Sequence, residues 1–102
     1  MDVRIQSVHF NAPADLEQHI EQEIQKLEKY WDKIISADVI LRTENSTEND
    51  SNFVSVKLDI PQNNIMAEAR EGYFLSAFDR VIDKLKKQIR RTKEQVIEAQ
   101  QK

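Results

Sequence analysis

From Phe74 to Val96 the apolar residues Phe74, Phe78, Val81, Ile82, Leu85, Ile89 and Val96 fall on one face of a 3.6-residue turn. The spacing predicts one amphipathic helix of about 25 residues, roughly 37 Å long at 1.5 Å per residue. In a chain of 102 residues, a helix of that length needs the remaining elements to cover its apolar stripe. The rest of the sequence therefore has to supply a floor, and it reads as strands.

The clearest strand is 53–60. Val54, Val56, Leu58 and Ile60 face one way, and Phe53, Ser55, Lys57 and Asp59 the other. Val39, Leu41 and Thr43 alternate with Ile40 and Arg42 to make a second strand. Pro61 to Asn64 reads as a turn, and Ile65 to Arg70 as a short strand with Ala67 and Ala69 at core parity. Val3 to Phe10 is a first strand with imperfect alternation. Val3 and Ile5 share one parity and Val8 and Phe10 the other, so a bulge or an early end near Ser7 is expected. Pro13 and Asp15 suit the first turn of a helix. Leu16, Ile20, Ile24, Leu27, Trp31 and Ile34 then predict a single stripe on a helix ending near Lys33. NSTENDS, residues 45–51, reads as a polar loop, and Gly72 marks the entry to the last helix.

The expected order is β-α-β-β-β-α. That is an α+β fold, a single four-stranded sheet with two helices packed on one face, in one domain spanning 1–102. The tail of the last helix beyond about residue 95 is expected to fray.

Several function classes recede on composition. There is no cysteine, hence no disulfide framework and no thiolate chemistry. No apolar run approaches the roughly 18 residues that cross a bilayer, so no membrane partner is expected. MDVRIQSVHF has no secretion-signal pattern, which favours a cytoplasmic protein. One glycine cannot build a phosphate loop. His9 and His19 have no metal-ligand spacing around them. Acidic pairs such as Asp79 and Asp83 lie on helix surfaces. No converging group suggests an enzyme, a metal, a cofactor or a small-molecule substrate.

What stands out is charge. The chain has 18 acidic and 15 basic residues, yet KLKKQIRRTK, 84–93, holds six bases and no acid. Across 79–93, seven bases face only Asp79 and Asp83, so local pairing cannot neutralise the run. Wound as a helix, Arg80, Lys84, Lys87 and Arg91 fall together opposite the apolar stripe, with Lys86, Arg90 and Lys93 along one flank. Lys26, Lys29 and Lys33 form a similar stripe on the first helix. Side by side, the two stripes would merge into one positive surface, leaving the acidic excess to the 44–50 loop and the other flanks. Cations near a helix C-terminus also offset the macrodipole, and a charged helix face is often simply solvated. A segregated positive face on a net-negative chain nevertheless points to a polyanion, most simply nucleic acid. No helix-turn-helix or zinc finger is present. Tyr30 borders the lysines, where it would stack on a base or sit at the core edge. With no aromatic platform on the sheet, recognition of folded RNA by shape and phosphate fits best.

QKLEKYWDKI at 25–34 and SAFDRVIDKLKKQIRRTKE at 76–94 resemble the ribosome hibernation promoting factor family, which includes the ribosome-associated inhibitor protein Y. The resemblance covers essentially the whole chain. It implies a double-stranded-RNA-binding-domain-like fold that binds the small ribosomal subunit in the mRNA and tRNA channel. Translation would thereby be blocked in stationary phase or stress. Carried over residue by residue, the ribosomal RNA contacts would be Lys26, Lys29, Lys84, Lys87, Gln88, Arg91 and Lys93. The face argument adds Lys33, Arg80, Lys86 and Arg90. Tyr73-Phe74-Leu75 departs from the Asp-Met-Tyr common in the family, so no RNA contact is assigned to a tyrosine there. By length the chain resembles the short form, and a monomer is expected in isolation. The alternatives are a generic double-stranded RNA binder and a module whose basic band meets an acidic protein. The sheet face bearing Arg4, Arg42, Lys57 and Asp59 is a further candidate surface.

Overall fold

In a computed structural model of the chain, residues 1–43, 51–61 and 63–100 are described, with side chains to residue 95. The expected polar loop at 45–51 lies, except for Ser51, outside the described residues. The strands are β1 (Asp2–Val8), β2 (Ser36–Thr43), β3 (Asn52–Ile60) and β4 (Asn63–Glu71). The helices are α1 (Ala14–Gln25) and α2 (Phe74–Gln100), with a 3₁₀ turn at Lys26–Lys29. The order is β-α-β-β-β-α, as expected, in one sheet ordered β1-β2-β3-β4.

The register follows from which residues can be buried together. β1 runs parallel to β2, pairing Asp2 with Ser36 and Val8 with Arg42. A parallel pair needs a crossover, and α1 provides it. β2 and β3 are antiparallel, with Val39 opposite Val56 and Leu41 opposite Val54. β3 and β4 form a hairpin in which Ile60 pairs with Asn63. The inner face of the sheet thus presents Ala37, Val39, Leu41, Val54, Val56, Leu58, Ile60, Ile65, Ala67 and Ala69 to one core. Ile20, Ile24 and Leu27 come down on it from one side, and Ala77, Phe78, Val81, Leu85 and Ile89 from the other. α2 lies over β4 and β3. The short side chains of Ala67 and Ala69 leave room there for the fully buried Phe78.

Three sequence expectations change. First, of the two expectations for the N-terminal strand the early end near Ser7 holds, since it ends at Val8 and not Phe10, and no bulge interrupts its pairing with β2. His9 takes a positive φ of 68°, in the left-handed region. That one residue reverses the chain and returns Phe10 to the core, where its ring stacks on Phe74 at 4.9 Å with the planes 8° apart. The alternation was imperfect because Phe10 belongs to the connection.

Second, α1 stops at Gln25 instead of near Lys33. The chain tightens through Lys26–Lys29, and the amides of Tyr30 and Trp31 both donate to Leu27 O, at 2.9 and 3.2 Å. The physical reason is length. Seven residues of β1 cover about 23 Å, and twelve of helix return about 18 Å. A helix to Lys33 would overrun the start of β2, which has to lie beside Asp2. The N-terminus also holds the turn: Gln25 Nε2 donates to Met1 O at 3.1 Å, and the Met1 ammonium pairs with Glu28. Ile34 still reaches the core, as its spacing suggested, although from outside any helix.

Third, the outer face of the sheet is not uniformly exposed. Phe53 points away from the helices yet is only 6% exposed. The guanidinium groups of Arg42 and Arg70, its neighbours across both strands, lie 4.5 and 5.0 Å from its ring centre. The quadrupole of the ring favours that cover.

α2 is 27 residues long, close to the expected 25, and its backbone stays helical to Gln100. Among the described side chains of α2, the last buried one is Ile89. Gly72 lies just before its start, as expected, but no glycine among the described residues adopts a positive φ. There Gly72 O accepts a 2.7 Å hydrogen bond from Asn52 Nδ2, which ties the helix entry to β3.

Candidate nucleic-acid interface

The basic residues of α2 do not form one uniform band directed into solvent. The core contact of Phe78, Leu85 and Ile89 fixes the roll of the helix, and the cations divide into two flanks.

The first flank overlooks β4, which among the described residues is an edge strand whose outward carbonyls have no neighbouring strand. Lys84 Nζ donates to Glu68 O, and Gln88 Nε2 donates to Met66 O, each at 2.8 Å. Long polar side chains from the helix thus occupy hydrogen-bonding positions that an edge strand otherwise offers to another chain. Lys87 and Arg91 line the same shallow groove, of about 590 Å³, with Met66, Ala67 and Glu68. Arg80, one turn before Lys84, pairs with Glu71 at 2.8 Å.

The second flank faces the 3₁₀ turn. Lys86 sits over the ring of Tyr30, its Nζ 5.1 Å from the ring centre. Lys93 Nζ donates to the carbonyl of Tyr30, which ends the turn. Arg90, Ile89 and Glu94 complete a groove of about 330 Å³ around the tyrosine. Tyr30 is 48% exposed rather than tucked against the core edge.

On the other helix the lysine stripe breaks up. Lys26 and Lys29 lie in the 3₁₀ turn, where residues three apart eclipse and so still share a side. Lys33 follows in non-helical chain. Lys26 Nζ pairs with Glu23 at 2.9 Å, and that hydrogen bond holds the Glu23 carboxyl below the usual carboxylate range. Nearby His19 and Lys86 act in the same direction. The contacts between this turn and α2 therefore run through Tyr30, under Lys86 and bonded by Lys93, rather than between two parallel lysine rows.

The eleven predicted positions thus differ in what already engages them. Arg80 and Lys26 are ion-paired, Lys84, Gln88 and Lys93 bind backbone carbonyls, and Lys86 rests on a ring. Among the described residues, no hydrogen bond or ion pair engages Lys29, Lys33, Lys87, Arg90 or Arg91. The edge contacts of Lys84 and Gln88, and the exposed Tyr30, were not legible in the residue pattern. Both depend on how far α2 slides along β4 and on where α1 breaks. His19 packs edge-on to Phe78, with centroids 6.1 Å apart. Among the described residues, no three His, Cys, Asp or Glu side chains are grouped to hold a metal. None of the described helices is long and apolar enough to cross a membrane.

The chain is similar in sequence to proteins named ribosome hibernation promoting factor. It is 29% identical to that of Azotobacter vinelandii, over 99% of this chain and 91% of the relative. It is 28% identical to that of Pseudomonas putida, over 92% and 88%. Its fold is similar to that of a ribosomal subunit interface protein from Coxiella burnetii, with a TM-score of 0.81 and 17% identity over 92% of this chain and 99% of that one. These likenesses agree with the resemblance carried by residues 25–34 and 76–94. Residues 3–97 match the family described as sigma 54 modulation protein / S30EA ribosomal protein, and the chain belongs to that family.

Proposed function

We propose that this protein is a ribosome hibernation factor. It binds ribosomal RNA of the small subunit through the two flanks of α2 and the adjoining 3₁₀ turn. Seated in the mRNA and tRNA channel, it stops translation by occupying the space, in stationary phase or stress. It acts in the cytoplasm, as a monomer until it meets the ribosome, and it performs no chemistry.

One observation carries the reading: the cations of α2 stand on both sides of its buried stripe while the chain as a whole is net negative, −3. Such a surface attracts a polyanion locally and repels it elsewhere. Folded RNA offers phosphates at the spacing of successive helical turns, and each phosphate neutralised releases counterions. The names of the relatives from A. vinelandii and P. putida support the ribosome as the source of that RNA.

Co-sedimentation with purified ribosomal subunits across a salt series tests it. Binding to the small subunit that weakens steeply with salt is expected. Equal binding to short RNA duplexes would favour a general duplex binder. A partner that survives nuclease treatment would favour an acidic protein.

A further inference from the structure

The groove around Tyr30 differs in kind from the rest of the basic surface, and we infer that it is a pocket for one unpaired nucleobase of the bound RNA. This deepens the proposal above and rests on its reading that this face meets RNA.

Phosphate contacts need only cations. This groove also contains an aromatic ring, an apolar floor and an acceptor. Tyr30 is half-exposed in the middle of it. Its backbone is anchored, because Lys93 binds its carbonyl, so the ring is held in place from behind. Ile89, buried by the core, forms the floor. The volume, about 330 Å³, lies within the range of about 300–1,000 Å³ for small-molecule pockets and admits a nucleobase.

The chemistry around the ring matches a nucleotide part by part. A base stacks on an aromatic side chain whatever its identity, because every base has a π face. Arg90, which no hydrogen bond or ion pair engages among the described residues, lines the groove and supplies a cation for a flanking phosphate, and Lys86 adds charge over the ring itself. Glu94 is the odd member. A carboxylate repels phosphate, but it accepts from an exocyclic amino group. Its presence predicts that cytosine, adenine and guanine, which carry such donors, are held better than uracil. The groove beside β4 lacks this combination, because its lining has no aromatic residue.

The test uses fluorescence anisotropy with a labelled RNA hairpin. Its stem is either fully paired or carries one bulged adenosine, cytidine or uridine. The wild-type chain should bind the adenosine or cytidine bulge about tenfold more tightly than the paired stem, the size of one base–aromatic stack. Tyr30→Leu should erase that preference, while Tyr30→Phe should keep it. Glu94→Gln should bring uridine level with the other bulges. Circular dichroism melts of each variant exclude misfolding. No preference in the wild type, or a preference that survives Tyr30→Leu, would overturn the inference. Small-subunit binding measured on the same samples separates the two claims. Ribosome binding without any bulge preference sinks the base pocket alone. A Tyr30-dependent preference in a protein that ignores ribosomes supports the pocket and sinks the ribosomal reading.

Discussion

Two pairs of substitutions remove the same formal charge and should have different consequences. Lys87→Gln with Arg91→Gln takes two cations that nothing engages among the described residues. Lys26→Gln with Arg80→Gln takes two that are already paired, with Glu23 at 2.9 Å and Glu71 at 2.8 Å. A cation that contacts phosphate directly contributes about 0.9 to the slope of log affinity against log salt, using the duplex value. Losing Lys87 and Arg91 should therefore flatten the slope by about 1.8, so that the wild-type advantage at roughly 50 mM salt exceeds that at 200 mM by roughly twelvefold. Losing Lys26 and Arg80 should flatten it by less than about 0.5, because each would first have to leave its carboxylate. Small-subunit co-sedimentation at four or more salt concentrations measures both slopes. Exposed ion pairs are weak, often below about 1 kcal/mol, and a phosphate can outcompete them. If the two double variants flatten the slope equally, the pairs yield to RNA and the distinction between engaged and unengaged cations fails.

Other outcomes follow from the packing. The Ser7 hydroxyl is the one buried side-chain polar atom without a hydrogen-bond partner among the described residues, so Ser7→Ala should stabilise by about 1 kcal/mol and raise Tm by about 4–8 °C in calorimetry. Phe78 is fully buried between α2 and β4, and Phe78→Ala should destabilise by about 3–5 kcal/mol in urea unfolding. Glu23 is held below the usual carboxylate range first by the hydrogen bond from Lys26, so Lys26→Met should raise its titration midpoint in carboxyl-resolved NMR. The sign follows from linkage: a depressed folded value stabilises above the unfolded pKa, and that stabilisation is lost as pH falls through the folded one.

Periodicity was enough for most of the fold. The period-2 run of Val54, Val56, Leu58 and Ile60 and the stripe of Phe78, Val81, Leu85 and Ile89 each bury one face, and they are buried in the structure. Those patterns are local, because a side chain's face follows from the backbone repeat alone. The sorting of charge on α2 was legible for the same reason. The break of α1 at Gln25 was not. The apolar spacing continues smoothly to Ile34, and only the need to bring β2 back beside β1 ends the helix. Lys33 therefore leaves the face on which a longer helix would have carried it. Equally, nothing near Lys84 or Gln88 in sequence names Glu68 or Met66, which lie 16 and 22 residues away. Tyr30 and Lys93 are 63 residues apart. The sequence by itself determined which residues are apolar, which are charged and which face of its own element each occupies. Which cations are already engaged, and which stand around an exposed ring, was decided by the tertiary structure, because a side chain finds its partner only after the elements have docked.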